Sequence, residues 1–159
     1  MLKIEVYTDG SSQNPGVGGF DAILKCGGQE RVIRNFSTER TTNNSMELRP
    51  VLETIKWLNE HQKQPCKVTF FTDSQYIVDC ASIMMKDGTK KKTDWFEGRP
   101  NEELWMEFIR ACKKGGHIAS FVKVKGHNGN ELNERCDKMA KEEMVKARHA
   151  LYEKLHENA

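Results

Sequence analysis

No run in this 159-residue chain approaches the ~18 consecutive apolar residues that a membrane span requires. The opening "MLKIEVYTDG" lacks the apolar core of a signal peptide; its apolar residues alternate instead. Five cysteines, Cys26, Cys66, Cys80, Cys112 and Cys136, are scattered, odd in number and never spaced as CxxC. That supports neither a zinc site nor a redox motif, and free thiols in a reducing cytoplasm are expected. No phosphate-binding loop of the GxxxxGKS or GxxxxGKT type occurs. Repeats, linkers and low-complexity segments are also missing. The net charge of +2 is too small to argue for or against nucleic acid by itself; where the charge sits matters more.

What is present is ordinary for a globular protein, with 37% apolar and 30% charged residues. The length fits one domain, residues 1–159, with a core large enough to need no staples. "LKIEVYTDG" alternates, with Leu2, Ile4 and Val6 on one face and Lys3, Glu5 and Tyr7 on the other. It is expected to be a strand ended by the turn former Asp-Gly. "SSQNPGVGG" is a loop, "FDAILKC" a second strand, "GGQE" a hairpin turn and "RVIRNFS" a third strand. The period then changes. Leu48, Val51, Leu52, Ile55 and Leu58 lie three or four apart, as on one stripe of a helix. "KVTFFTD" is apolar on both faces and expected to be a central strand. "SQYIVDCASIMM" reads as a helix capped by Ser74, and "NEELWMEFIRACKK" as one capped by Asn101. "HIASFVKVKG" is a strand, and a last helix is expected from about Asn133. Its apolar stripe, continued to Leu151 and Leu155, predicts packing on the body, with Glu134–Lys138 and Glu142–Lys146 as i,i+4 pairs. The order β-β-β-α-β-α-α-β-α predicts an α/β fold with a mixed five-stranded sheet and helices on both faces.

Four acids sit where chemistry is done in such folds. Asp9 and Asp73 end the first and fourth strands, Glu47 is placed in the first turn of the first long helix, and Asp137 lies early in the last. Singly, each has an ordinary explanation. Asp-Gly makes turns, Asp-Ser caps helices, a first-turn Glu complements the helix dipole, and Asp137 suits a solvated face. If the two strands are parallel neighbours, however, Asp9 and Asp73 emerge at the carboxyl edge of the sheet, where sites form. Carboxylates brought together there repel unless a cation intervenes. Hard oxygen donors suit Mg²⁺ or Mn²⁺, and two such ions ~3.5–4 Å apart hydrolyse phosphodiesters.

The segments "YTDGSSQNPGVGGF", "TTNNSMEL", "TDSQY" and "VKGHNGNELNERCDKMA", in this order, resemble type 1 ribonuclease H of the bacterial single-domain kind. The resemblance runs to about residue 145 and leaves a C-terminal helical extension beyond. It implies the ribonuclease H-like fold and hydrolysis of the RNA strand of RNA–DNA hybrids, giving 5′-phosphate and 3′-hydroxyl ends. It also implies that Asp9, Glu47, Asp73 and Asp137 hold two Mg²⁺ ions, with Mn²⁺ as a substitute, and that His127 assists proton transfer or product release. Asn14, Asn43, Asn44 and Gln75 match RNA-strand contacts, whose amides can both donate and accept. Arg40, Thr42 and Asn101 match a phosphate pocket for the DNA strand. A monomer without obligate protein partner is implied.

Three departures stand out. The segment matching the family's basic protrusion, Lys86 to Arg99, holds five basic and three acidic residues, a surplus of only +2. Lys90, Lys91 and Lys92, which would otherwise form a solvated turn, are expected to contact phosphate, and Trp95 to be its one aromatic platform, so moderate hybrid affinity is expected. The loop "DGSSQNPG" is one residue shorter than in many bacterial members, which bears on Asn14. Pro50 falls inside the first helix, where it removes the bond to the Met46 carbonyl and is expected to bend the helix after Glu47. Two other classes remain open: a module that binds hybrids without cleaving them, and a carboxylate-dependent phosphotransfer enzyme acting on a small molecule.

Overall fold

Alternation of apolar and polar residues produces the central sheet. In the computed structural model, which describes residues 1–13, 16–85, 94–125 and 130–157, five strands pair in the order β3-β2-β1-β4-β5. They are β1 (Leu2–Gln13), β2 (Val17–Cys26), β3 (Gln29–Ser37), β4 (Cys66–Thr72) and β5 (Ile118–Lys123). The helices are α1 (Asn43–His61), α2 (Gln75–Met85), α3 (Glu102–Gly115) and α4 (Glu131–Glu157). The expected element order and mixed sheet are therefore present. β1, β2 and β3 form an antiparallel meander, while β4 runs parallel to both β1 and β5.

The period-two pattern decides which helix covers which face. Ile4, Val6, Ala22, Leu24, Val68 and Phe70 form one core with Leu48, Val51, Leu52, Ile55 and Leu58 of α1. The opposite face takes α4. There Gly19 of β2 lies so close to α4 that an added Cβ would overlap the Ala140 carbonyl and the Met144 amide. Cys136 of α4 places its Sγ 3.3 Å from the Tyr7 carbonyl oxygen, and Arg34 of β3 binds the buried carboxylate of Glu143 at 2.9 Å. No helix among the described residues is long and apolar enough to cross a membrane.

Several expectations are corrected. β1 does not end at Asp9–Gly10; its ladder with β2 runs on to the pair Gln13–Val17. Only its pairing with β4 stops early, at Tyr7–Phe71, so Asp9 is at a strand end with respect to β4 alone. α1 starts at Asn43 with Thr42 as its cap, joined to Ser45 in a reciprocal capping box, and Glu47 is one turn further in than a dipole-complementing position. Asn101 occupies the start of α3 with φ of 69° but makes no capping bond; its amide donates to the Tyr76 hydroxyl at 3.1 Å. α4 starts at Glu131, where Asn130 Oδ1 accepts from the amides of Leu132 and Asn133. Its charges choose other partners than Glu134–Lys138 and Glu142–Lys146: Lys141 pairs with Asp137, and Lys146 with Glu143. Beyond Ala147 no residue of the stripe is fully buried: Leu151 is half-buried and Leu155 is 65% exposed.

Candidate active site

The parallel register of β1 and β4 sets the site. Tyr7 pairs with Phe71, and their rings stack at 4.7 Å; two residues on, Asp9 and Asp73 leave the same edge of the sheet. Glu47 arrives from α1 on the other face. Its approach needs a residue without a side chain on β1, because a Cβ at Gly10 would overlap the Met46 carbonyl and the Glu47 amide. One carboxylate oxygen from each of Asp9, Glu47 and Asp73 lies within 4.8 Å of the others.

Electrostatics at this edge oppose ionisation. Burial, then the charge of Asp73, pushes Asp9 up to about 7, although the Gly10 amide donates to its Oδ1 at 2.9 Å. Burial, followed by the charges of Asp9 and Asp73, raises Glu47 to about 10. Glu47 Oε2 is buried with no hydrogen-bond partner among the described residues, an arrangement that proteins ordinarily avoid. Three converging hard oxygens, one of them orphaned, fit a small divalent cation of the Mg²⁺ class. Asp137 contributes repulsion to Asp9 but is not one of the three converging acids; its Oδ2 is held 3.0 Å from Lys141 Nζ.

The other expected residues divide between those near this edge and those elsewhere. Asn43 begins α1 beside the acids, and its Oδ1 accepts from the Ser12 amide at 3.1 Å and the Ser12 hydroxyl at 2.6 Å. Asn44 is exposed on the same turn. Gln75 opens α2 two residues after Asp73; it donates to Asp79 and accepts from Lys123 Nζ at 2.9 Å. The Thr42 hydroxyl is used in the capping box, and Arg40 is exposed, packed beside Gly16. Asn101 is drawn to Tyr76, whose hydroxyl also accepts from the Trp105 indole at 3.0 Å. Trp95 is half-buried. The Arg99 guanidinium covers its ring at 3.9 Å and Phe96 meets it edge-on at 5.2 Å. Asn14, Lys90, Lys91, Lys92 and His127 lie outside the described residues.

Two participants escaped the sequence reading. Ser12 was not distinguished from its loop neighbours, and nothing local reveals its long-range bonds to Asn43. Asp21, paired with Asp9 across β1 and β2, is fully buried, and neither of its oxygens has a hydrogen-bond partner among the described residues. Burial drives it up to about 8, with the Cys136 thiol opposing. An acid inside the apolar strand "FDAILKC" was its available signal.

Residues 2–145 match the family model for RNase H. Ribonuclease H of Helicobacter pylori (strain HPAG1) is 43% identical over 147 residues, which cover 92% of this chain and 96% of that protein. The crystal structure of LC9-RNase H1, a type 1 RNase H with the type 2 active-site motif, superposes with a TM-score of 0.76 at 26% identity, over 92% of this chain and 74% of that one. The fold is shared as well with LC11-RNase H1, solved in complex with an RNA/DNA hybrid. Its TM-score is 0.69 at 21% identity, over 91% of this chain and 98% of that one. With the carboxylate edge, the strand order and these likenesses in agreement, the chain belongs to the type 1 ribonuclease H family.

Proposed function

We propose that this chain is an endoribonuclease that hydrolyses the RNA strand of RNA–DNA hybrids and leaves 5′-phosphate and 3′-hydroxyl ends. The observation that carries this reading is the trio Asp9, Glu47 and Asp73, with oxygens within 4.8 Å and Glu47 Oε2 buried without a partner among the described residues. A module that only bound phosphates would gain nothing from clustered carboxylates facing them. A small-molecule phosphotransferase fits less well, because polar side chains extend from the acids along Ser12, Asn43 and Gln75 as for a polymer.

Asp9, Glu47, Asp73 and Asp137 would hold two Mg²⁺ ions, with Mn²⁺ able to replace them. When bound, such ions supply an activated water and charge neutralisation at the leaving oxygen. The chain's own groups provide position. The sheet edge fixes Asp9 and Asp73, and the capped start of α1 fixes Glu47 and Asn43. Asn14, Asn43, Asn44 and Gln75 read the RNA strand, where the 2′-hydroxyl distinguishes RNA from DNA. Arg40, Thr42 and Asn101 hold a DNA-strand phosphate, and Lys90, Lys91, Lys92 and Trp95 add a moderate grip. His127 moves a proton at the leaving oxygen or speeds product release. The chain acts as a monomer in the cytoplasm, in keeping with five free thiols.

The test is a labelled RNA–DNA hybrid with and without Mg²⁺, beside matched RNA–RNA and DNA–DNA duplexes. Metal-dependent cleavage confined to the RNA of the hybrid is expected, and an inert wild type would remove the reading. Asp73→Asn is expected to bind hybrid but not cleave it; an active Asp73→Asn protein would refute the metal assignment.

A further inference from the structure

α4 carries two different edges. Toward β3 it presents Glu142, Glu143 and Lys146, which pair with Arg34 or with one another. Toward the end of β1 it presents Asp137, Lys141, Met144, Arg148 and Tyr152, spaced three or four apart and therefore aligned along the helix. This edge starts at the acids, where Lys141 holds Asp137. Met144 Sδ then accepts from the Ser11 hydroxyl at 3.5 Å, and the Arg148 guanidinium donates to Gln13 Oε1. Past Asp137 it contains no acidic residue. Arg148 lies beyond residue 145, where the family match stops. Tyr152, 63% exposed, has one side of its ring against His156 at 4.1 Å.

The end of β1 is thus held between two polar arms. Ser12 binds Asn43 on the α1 side, and Gln13 binds Arg148 on the α4 side. Asn43, assigned above to the RNA strand, bonds Ser12, which directly precedes Gln13, so the surface proposed for that strand reaches Arg148. A cation here complements a phosphate backbone, and an exposed aromatic ring complements sugar or base faces.

We propose that Arg148 and Tyr152, on the overhanging end of α4, extend the nucleic-acid surface past the acidic cluster and grip the RNA strand several nucleotides from the scissile bond. This rests on the reading of the chain as a hybrid-cleaving enzyme. Arg148 lies eleven positions after Asp137, about 16 Å along a helix axis, a length of several base pairs. The contact therefore needs a hybrid that reaches well beyond the cut, and it offsets the weak charge surplus of the Lys86–Arg99 segment.

The experiment measures hybrid affinity by fluorescence anisotropy over a salt series, in an Asp73→Asn background. The hybrids extend either about three or about ten base pairs past the cut, on each side in turn. Arg148→Ala is expected to raise Kd three- to tenfold for the hybrid long on one side and to lower the salt slope by about one unit. It leaves the short hybrid unchanged, and Tyr152→Ala gives a similar loss without the change in slope. Gln13→Ala breaks the same intramolecular contact but keeps the cation, so affinity and slope stay at the parental values. In the cleaving enzyme Arg148→Ala raises KM and leaves kcat unchanged. An unaltered Kd and slope in Arg148→Ala would overturn the proposal. So would an equal loss in Gln13→Ala, which would make Arg148 a structural anchor. A wild type that neither binds nor cleaves hybrid removes the underlying reading too, and that is seen without any variant.

Discussion

Gly10 of β1 lies directly against the Met46 carbonyl of α1, with no room for a methyl group between them. That carbonyl has no helical donor, because the residue four places on is Pro50 and lacks an N–H. Helix and strand can thus approach closely at the point that brings Glu47 to Asp9. Gly10→Ala is expected to push α1 away from the sheet edge, destabilising the fold by about 1–3 kcal/mol. Because misplacement of ~1 Å can lower a rate about 100-fold, kcat should fall by at least tenfold. Urea unfolding and steady-state cleavage check the two parts. Wild-type kcat in a stable Gly10→Ala protein would separate this contact from the geometry of the acids.

Clustered carboxyls strain the metal-free protein in a direction set by pH. Asp9 is raised to about 7 and Glu47 to about 10, so the folded state retains protons that the unfolded chain releases near pH 4. Stability from this source is fully present below pH 4 and declines as pH rises through these values. Asp9→Asn and Glu47→Gln are each expected to raise Tm in EDTA at pH 8, by the equivalent of about 1–3 kcal/mol, while abolishing cleavage. Mg²⁺ should raise the wild-type Tm at pH 8 by binding only the folded state, and raise it less in either variant. Calorimetry with and without the metal decides this; equal Mg²⁺ shifts in all three proteins would remove the cluster as the binding site.

Fold and site were legible to different depths, for physical reasons. Strands and helices follow from periods of two and 3.6, so the element order and the core stripe of α1 could be read directly. Asp9 and Asp73 were visible because a parallel pair places both strand ends at one edge. Interactions between distant elements left no local trace. Asn101 resembles a helix cap, but the Tyr76 hydroxyl takes its amide. Trp95 resembles a stacking platform, yet Arg99 and Phe96 already pack on it. The stripe of α4 keeps its helical spacing after Ala147, although Leu155 is left exposed. Periodicity shows what could be buried; only tertiary contact shows what is.

His117 links three elements. Its Nδ1 accepts from the Cys66 amide at 3.0 Å, and its Nε2–H donates to Asn59 Oδ1 at 2.8 Å. Asn59 in turn donates to the Ala111 carbonyl. Only a neutral ring can serve both bonds, and burial holds its pKa below the usual histidine value. The sign follows: the contribution is complete above the unfolded pKa of about 6.5 and is lost as pH falls toward the lower folded value. His117→Phe leaves a buried amide and carbonyl without partners and should destabilise by about 2–4 kcal/mol at pH 7.5. The gap from wild type should shrink at pH 5. A gap independent of pH would show that protonation of His117 is not involved.

Asp21 presents the opposite case, a buried acid for which burial outweighs the Cys136 thiol and the Arg34 charge that favour its ionised form. It pairs with Asp9 across the strands, its oxygens have no hydrogen-bond partner among the described residues, and burial raises it to about 8. In the unfolded chain it ionises near pH 4, so folding at neutral pH must return a proton to it. Stability from this group is greatest below pH 4 and declines until the pH passes about 8. Asp21→Asn keeps the shape and cannot ionise. The substitution is expected to change little at pH 4 and to stabilise increasingly up to pH 8, reaching on the order of 1–3 kcal/mol. Cleavage should remain within about threefold, a change of under 1 kcal/mol in barrier, because Asp21 is not among the converging acids. Denaturation at several pH values, paired with a hybrid-cleavage assay, tests both statements. A variant less stable than wild type at pH 8 would mean that the Asp21 carboxyl is supported by its surroundings. A stable variant with a large loss of cleavage would instead make Asp21 part of the machinery behind Asp9.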